Sequence, residues 1–212
     1  MSRKITNTGV YIPYNGITVI HKVHHKHRDL MQRIERTIKR SPTVSRFWSA
    51  LPAKSYHMTL HDVDSQLGVS DEIWIATANA RTDTWKALSR ELDNYRHFKP
   101  VGTIRSFYHR GTIGIEVALS YQDTQVAEEI RAKLCNITGT ALRRRVYHIT
   151  LAYQYAEIDP ATTPQIVAEL ETITNLITSS FPALNIELDD AELCSFNTMK
   201  AFDTWDGTVW PY

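Results

Sequence analysis

Hydrophobic positions along the chain change period segment by segment, and the changes mark out alternating strands and helices. Ile17 to Val23 is a β-branched run behind the turn signal Asn15-Gly16, so it reads as the second arm of a hairpin begun near Gly9-Val10-Tyr11. Leu30, Ile34 and Ile38 recur every fourth residue, which predicts an amphipathic helix over Asp29 to Arg40, stopped by Ser41-Pro42. Tyr56 to Val63 is the next strand. Asp64 to Thr84 is polar, with too little periodicity to place beyond a short element around Ile73-Trp74-Ile75, and could be a loop over a site. Trp85, Leu88, Leu92 and Tyr95 mark a second helix; Val101 to Phe107 and Gly111 to Leu119 read as an antiparallel pair, the latter alternating Ile113, Ile115, Val117 and Leu119. A third helix carries Val126, Ile130, Leu134 and Ile137. Val146 to Tyr153 is a strand, Ile166, Val167, Leu170, Ile173 and Ile177 give a fourth helix, and Leu184, Ile186 and Leu188 alternate as a further strand. The pattern is α+β, with mostly antiparallel sheets and helices outside.

Within it one pentapeptide occurs almost twice: Tyr56-His57-Met58-Thr59-Leu60 and Tyr147-His148-Ile149-Thr150-Leu151, with His148 lying 91 positions after His57. That spacing is too long for a solenoid repeat. Each copy follows a helix and a loop, so the two read as corresponding strands of two duplicated halves. Alternate side chains of a strand share a face, which sends His57 and Thr59 one way and Tyr56, Met58 and Leu60 the other; the second copy does the same. If the halves face one another across a groove, two His-Thr pairs converge there. A phosphodiester can be cleaved without metal when one imidazole takes the proton of the attacking oxygen and another supplies one to the leaving oxygen, and histidine alone has an ordinary pKa near 6.5 that suits both tasks. Threonine hydroxyls alongside can donate to the non-bridging oxygens as charge develops.

At these residues the chain resembles the two-histidine phosphoesterase superfamily, the LigT-like bilobal fold that includes RNA cyclic phosphodiesterases, so-called 2′-5′ RNA ligases and viral 2′-5′ phosphodiesterases. The signature is a pair of His-x-Thr/Ser-x motifs, here HMTL at His57 to Leu60 and HITL at His148 to Leu151. The likeness is nearer to a branch of that superfamily with a turn like Gly9 to Gly16 near the start and a Leu-Pro-x-x-Ser-Tyr-His-Met-Thr run, here Leu51 to Thr59. The resemblance implies one two-lobed domain over residues 1–212 with a motif in each lobe, two sheets facing a central cleft, catalytic His57 and His148, and Thr59 and Thr150 on the scissile phosphate. The substrate so implied is a nucleotide or short RNA: a 2′,3′-cyclic phosphate, a 2′-5′ linkage or a cyclic oligonucleotide, hydrolysed with no cofactor.

Other residues are candidates for holding such a substrate. Tyr14 and Lys54 lie in loops near the hairpin and the first motif. Arg145, with Arg143 and Arg144, directly precedes the second motif and could steer a phosphate chain. Trp48, Trp85, Phe107, Tyr108 and Tyr153 could stack a base, although Trp85 sits on an apolar helical stripe and Tyr153 is out of phase with His148 on an ideal strand, which favours core packing for both. His21, His24, His25 and His27 could hold a transition metal, but no carboxylate or cysteine stands at convincing spacing, so no metal is assigned. Two further readings remain distinct in kind: a nucleotide-binding module of the same fold without turnover, and a metal-dependent nuclease built on that histidine cluster.

Composition narrows the field. The 212 residues are 42% hydrophobic and 22% charged with eight Gly and eight Pro, in the ordinary globular range. No apolar run suffices to span a bilayer and the start lacks an apolar leader core. Two cysteines, Cys135 and Cys194, in no metal spacing, point to a reducing cytoplasm. No P-loop, GxGxxG or GxSxG occurs. The net charge is +1, yet His21 to Arg40 has seven Lys or Arg against two acids, while Val146 to Met199 has no Lys or Arg and eight acids. A local basic segment on a nearly neutral chain suits small anionic ligands better than duplex DNA.

Overall fold

The computed structural model describes residues 4–66, 68–109, 111–180 and 185–207. Its elements run β1 (Gly16–Val23), α1 (Arg28–Arg40), β2 (Trp48–Ala50), β3 (His57–Ser65), α2 (Asp71–Leu92), β4 (Val101–His109), β5 (Thr112–Leu119), α3 (Tyr121–Thr138), β6 (Tyr147–Gln154), α4 (Thr163–Ser180), β7 (Asn185–Thr198) and β8 (Ala201–Thr204). Leu184, read as part of the last strand pattern, lies outside the described residues.

All strand pairings are antiparallel, and six strands close a ring in the order β1-β3-β6-β5-β4-β7, with β7 returning to β1. The two halves that the repeat implies therefore share one continuous, barrel-like sheet. They are joined at two narrow seams: β3 meets β6 only at Met58↔Ile149, and β4 meets β7 at Val101 to Thr103. Beyond the first seam β3 swings away, and the short β2 takes its place beside β6 through Trp48 to Ala50. Helices α1 and α4 pack together, as do α2 and α3. Each helix buries one stripe: Met31, Ile34 and Ile38 on α1, and Ala127, Ile130 and Leu134 on α3.

Two expectations change. Asn15-Gly16 is not a hairpin turn, because β1 pairs with β3 and β7 and not with residues 9–11. The glycine is required by packing: a Cβ at Gly16 would lie 2.2 Å from the ring of Phe196, while the Asn15 amide donates to Gln66 Oε1. Residues 64–84 are no loop either, since most of them belong to α2. That helix buries Trp74, Ala78, Trp85, Leu88 and Leu92, and Ser70 caps it. Trp85 is core, as its stripe implied, and its Nε1–H donates to Asp64 at 2.7 Å.

The basic and acidic runs meet. Antiparallel pairing of β1 with β7 sets Lys22 against Glu192, His24 against Asp189 and Lys26 against Glu187. Two of the seven cations of the basic run, Lys22 and Lys26, are thus neutralised by the acidic run. The histidine run is divided too: His21 is fully buried with Nδ1 2.8 Å from the Asp189 carbonyl, His27 Nε2 accepts from the Glu187 N–H, and the His24 and His25 rings stay together with centroids 4.2 Å apart. Among the described residues no group of three or more His, Cys, Asp or Glu could hold a metal ion, and no helix is long and apolar enough to cross a membrane.

Burial pushes the His21 pKa down to about 4. Unfolded, this histidine takes up its proton near pH 6.5, so the folded state loses stability as pH falls from about 6.5 to about 4, on the order of 3 kcal/mol for a shift of that size. Urea unfolding at pH 7 and pH 4.5 should show the loss, and His21→Gln, which cannot titrate, should show less of it.

Candidate active site

The single contact between β3 and β6 organises the cleft. An antiparallel pair at Met58↔Ile149 sets His57 opposite Thr150 and Thr59 opposite His148, around a local two-fold relation between the motifs. Met58 and Ile149 are fully buried on the far side, and all four His and Thr side chains line one cleft of about 400 Å³.

Each motif strand also carries a bulge at the same place. Opposite β1, Val19 pairs with His61 and Ile20 with Thr59, so Leu60 is extra; opposite β5, Ile113 pairs with Ala152 and Gly114 with Thr150, so Leu151 is extra. Two consecutive residues are then buried in each copy, Leu60 with His61 and Leu151 with Ala152, and the phase resets. Asp62 and Tyr153 consequently face the cleft. This is why Tyr153, out of phase on an ideal strand, lines the cleft beside the motif while still packing against the core.

The imidazoles are held alike and surrounded differently. His57 Nδ1 is 2.7 Å from the Ser55 carbonyl and His148 Nδ1 is 3.3 Å from the Val146 carbonyl, in each case two residues back. A carbonyl only accepts, so Nδ1 carries the proton and Nε2 is the lone-pair nitrogen in the neutral ring. The His57 ring packs against Phe202, with centroids 4.2 Å apart. It keeps part of its surface open to the cleft but is enclosed by neighbouring atoms, and this desolvation lowers its pKa to about 4. The Ser55 carbonyl works against that shift, His148 and Lys4 add to it, and Asp62 opposes it. His148 is exposed, with Tyr108 edge-on at 6.2 Å.

Tyr108 also braces the second motif. Its hydroxyl lies over Gly114, the strand neighbour of Thr150, and near enough to the Thr112 and Thr150 side chains that they pull its pKa down, while burial, the larger effect, raises it. A Cβ at Gly114 would come within 2.4 Å of that hydroxyl and 2.9 Å of the Ile149 carbonyl. Gly114→Ala is expected to displace Tyr108 and to cost about 1–3 kcal/mol, measurable as a lowered urea midpoint.

The other candidates divide. Tyr14, Tyr153 and Arg145 line the cleft, Tyr14 stacked on Phe196 and Arg145 paired to Asp62 at 2.8 Å. Lys54 does not. It is the counterpart of Arg145, each three residues before its motif histidine, but the tight turn at Ala53–Ser55 directs it to a separate groove with Lys22, His25 and Arg28. Trp48 is buried in the core, and Phe107 packs against it. Among the cleft residues that gave no signal in the sequence is Lys4, whose ammonium lies 5.0 Å from the Tyr14 ring centre and 5.6 Å from that of Tyr153. Burial lowers its pKa, and the charge of Asp62 works against that.

This architecture is the LigT-like fold. A conserved protein of unknown function from Agrobacterium tumefaciens has the same fold, with a TM-score of 0.70 over 97% of this chain and 90% of its own, at 18% identity. A protein described as a phosphoesterase gives 0.57 over 92% and 96% at 13% identity. LigT of E. coli complexed with 3′-AMP gives 0.53 over 91% and 96%, also at 13% identity. At these identities the likeness is one of fold. No protein-family model matches the chain, and no curated protein does.

Proposed function

We propose that the protein is a phosphodiesterase that cleaves RNA-like or cyclic nucleotide diesters by two-histidine acid-base catalysis, without a metal. The observation that carries this reading is the convergence of both His-x-Thr motifs on one cleft, with each Nδ1 tied to a backbone carbonyl and each Nε2 left for chemistry. The complex of E. coli LigT with 3′-AMP, in a related fold, supports a nucleotide ligand.

The different surroundings of the two histidines support a division of roles. His57, desolvated against Phe202, stays neutral at pH 7 and is the base; His148, open to solvent, is the acid. With a 2′,3′-cyclic phosphate, His57 Nε2 takes a proton from water as the new P–O bond forms. The bond to the departing ribose oxygen then breaks, and the protonated His148 gives that oxygen its proton. With an internal linkage, the neighbouring ribose hydroxyl replaces water and a 2′,3′-cyclic phosphate is the first product. Thr59 and Thr150 donate to the non-bridging oxygens, the latter beside the Tyr108 hydroxyl.

The test is incubation in EDTA with 2′,3′-cyclic nucleotides, 2′-5′ and 3′-5′ oligoribonucleotides and cyclic oligonucleotides, with products identified by mass. Cleavage of at least one class in EDTA is expected. Binding without cleavage across the panel would replace the enzyme by a nucleotide-binding module, and cleavage abolished by EDTA would point to a metal-dependent nuclease.

A further inference from the structure

The two imidazoles and two hydroxyls account for one phosphate, yet the same cleft is lined by two further cations, Arg145 and Lys4. We propose that Arg145, with Lys4 on the same side, forms a second anion site, and that the substrate carries a phosphate besides the one that is cleaved. This rests on the reading of the cleft as a phosphodiesterase site. It narrows the substrate class to oligonucleotides and terminally phosphorylated nucleotides, as against simple nucleoside cyclic monophosphates.

The pairing of Arg145 is incomplete in a way that an oxyanion would complete. Counted from the Met58↔Ile149 contact, Asp62 stands four residues forward on β3 and Arg145 four residues back ahead of β6, so their ion pair spans the seam. It uses Nη1 alone, at 2.8 Å, and the buried Nε–H of Arg145 finds no acceptor among the described residues. The side chains are unequal partners: Arg145 is 19% exposed and Asp62 79%. A guanidinium is shaped to present two parallel N–H groups to a carboxylate or phosphate. An ion pair with so solvated a carboxylate is weakly held, so a phosphate entering the cleft can take the Arg145 fork while Asp62 turns to water. Lys4 strengthens the site, since its ammonium is held near enough to Asp62 to feel its charge and is anchored over Tyr14 and Tyr153. Arg145 begins three residues before His148, which places the second phosphate toward the His148 side of the scissile group.

The test compares two product-like ligands, 3′-AMP and adenosine 3′,5′-bisphosphate, by calorimetry in EDTA on the intact protein. The wild type is expected to prefer the bisphosphate by about 10- to 100-fold, the worth of one charge-assisted contact, and Arg145→Gln is expected to bring the ratio near one. Because Arg145→Gln also removes a bridge across the seam, Asp62→Asn is the second variant. It breaks the same bridge but removes the competing carboxylate, so the ratio should rise; a merely structural bridge would leave it unchanged. Equal affinities in the wild type, or a preference that survives in Arg145→Gln, would overturn the site. If both ligands bind with the expected ratio but no diester is cleaved, the anion site stands and the catalytic reading fails. If neither ligand binds, both fall.

Discussion

Replacing either His57 or His148 with alanine is expected to lower kcat/KM by about 10²- to 10⁴-fold, the usual share of a positioned proton carrier. The size follows from what each ring supplies. His57 is a neutral base whose Nδ1–H is committed to the Ser55 carbonyl, which leaves Nε2 as the atom that takes the proton, and the cleft carboxylate Asp64 is occupied in accepting from Trp85 and Arg81. The double variant should lose little more than either single one, because groups acting in one transition state do not contribute independently. Both substitutions sit at the open face of the strands, opposite buried Met58 and Ile149, so the folded state should survive them. Unchanged melting, together with retained binding of 3′-AMP, would show that the loss lies in chemistry.

Thr59→Ala and Thr150→Ala are expected to cost roughly 10- to 10³-fold each, the upper end being that of a lost oxyanion donor. They remove a phosphate donor and no proton carrier, so the pH dependence should keep its shape. The two should differ. The Tyr108 hydroxyl is seated over Gly114, beside Thr150, so Tyr108→Phe should reproduce part of the Thr150→Ala defect and leave the Thr59 side untouched. Steady-state kinetics on one diester in the four proteins would check this, and equal activity of all four would remove the threonines from the reaction.

Much of this arrangement is legible in the chain because the motif strands obey a strict period. Alternation alone sends His57 with Thr59, and His148 with Thr150, away from the core. What escapes the sequence has identifiable physical causes. Tyr153 is misphased by a bulge at Leu151 that no periodicity announces, and the matching bulge at Leu60 brings Asp62 into the cleft. Lys4 and Phe202 arrive from the two ends of the chain, so only the folded sheet brings them to His57. Lys54 and Arg145 hold equivalent positions, but a tight turn ahead of β3 separates their directions. The first half of α2 is hidden because its stripe is thin: Ala78 fills one core position, and the polar Arg81 beside it is paired with Asp64. Asn15-Gly16 misleads because glycine there answers to the Phe196 ring and not to a turn.

The pH dependence of turnover tests the division of labour between the two histidines most directly. For a cleaved diester, kcat/KM should be bell-shaped, with its acid limb well below 6.5 and near the value of about 4 to which burial brings His57. Below that limb the base is protonated and activity falls. In kcat the same limb should lie higher, because bound phosphate favours the charged imidazole. The acid limb should vanish in His57→Ala and the alkaline limb in His148→Ala. A profile flat from about pH 4 to pH 9, or a full bell that survives in His57→Ala, would contradict the account.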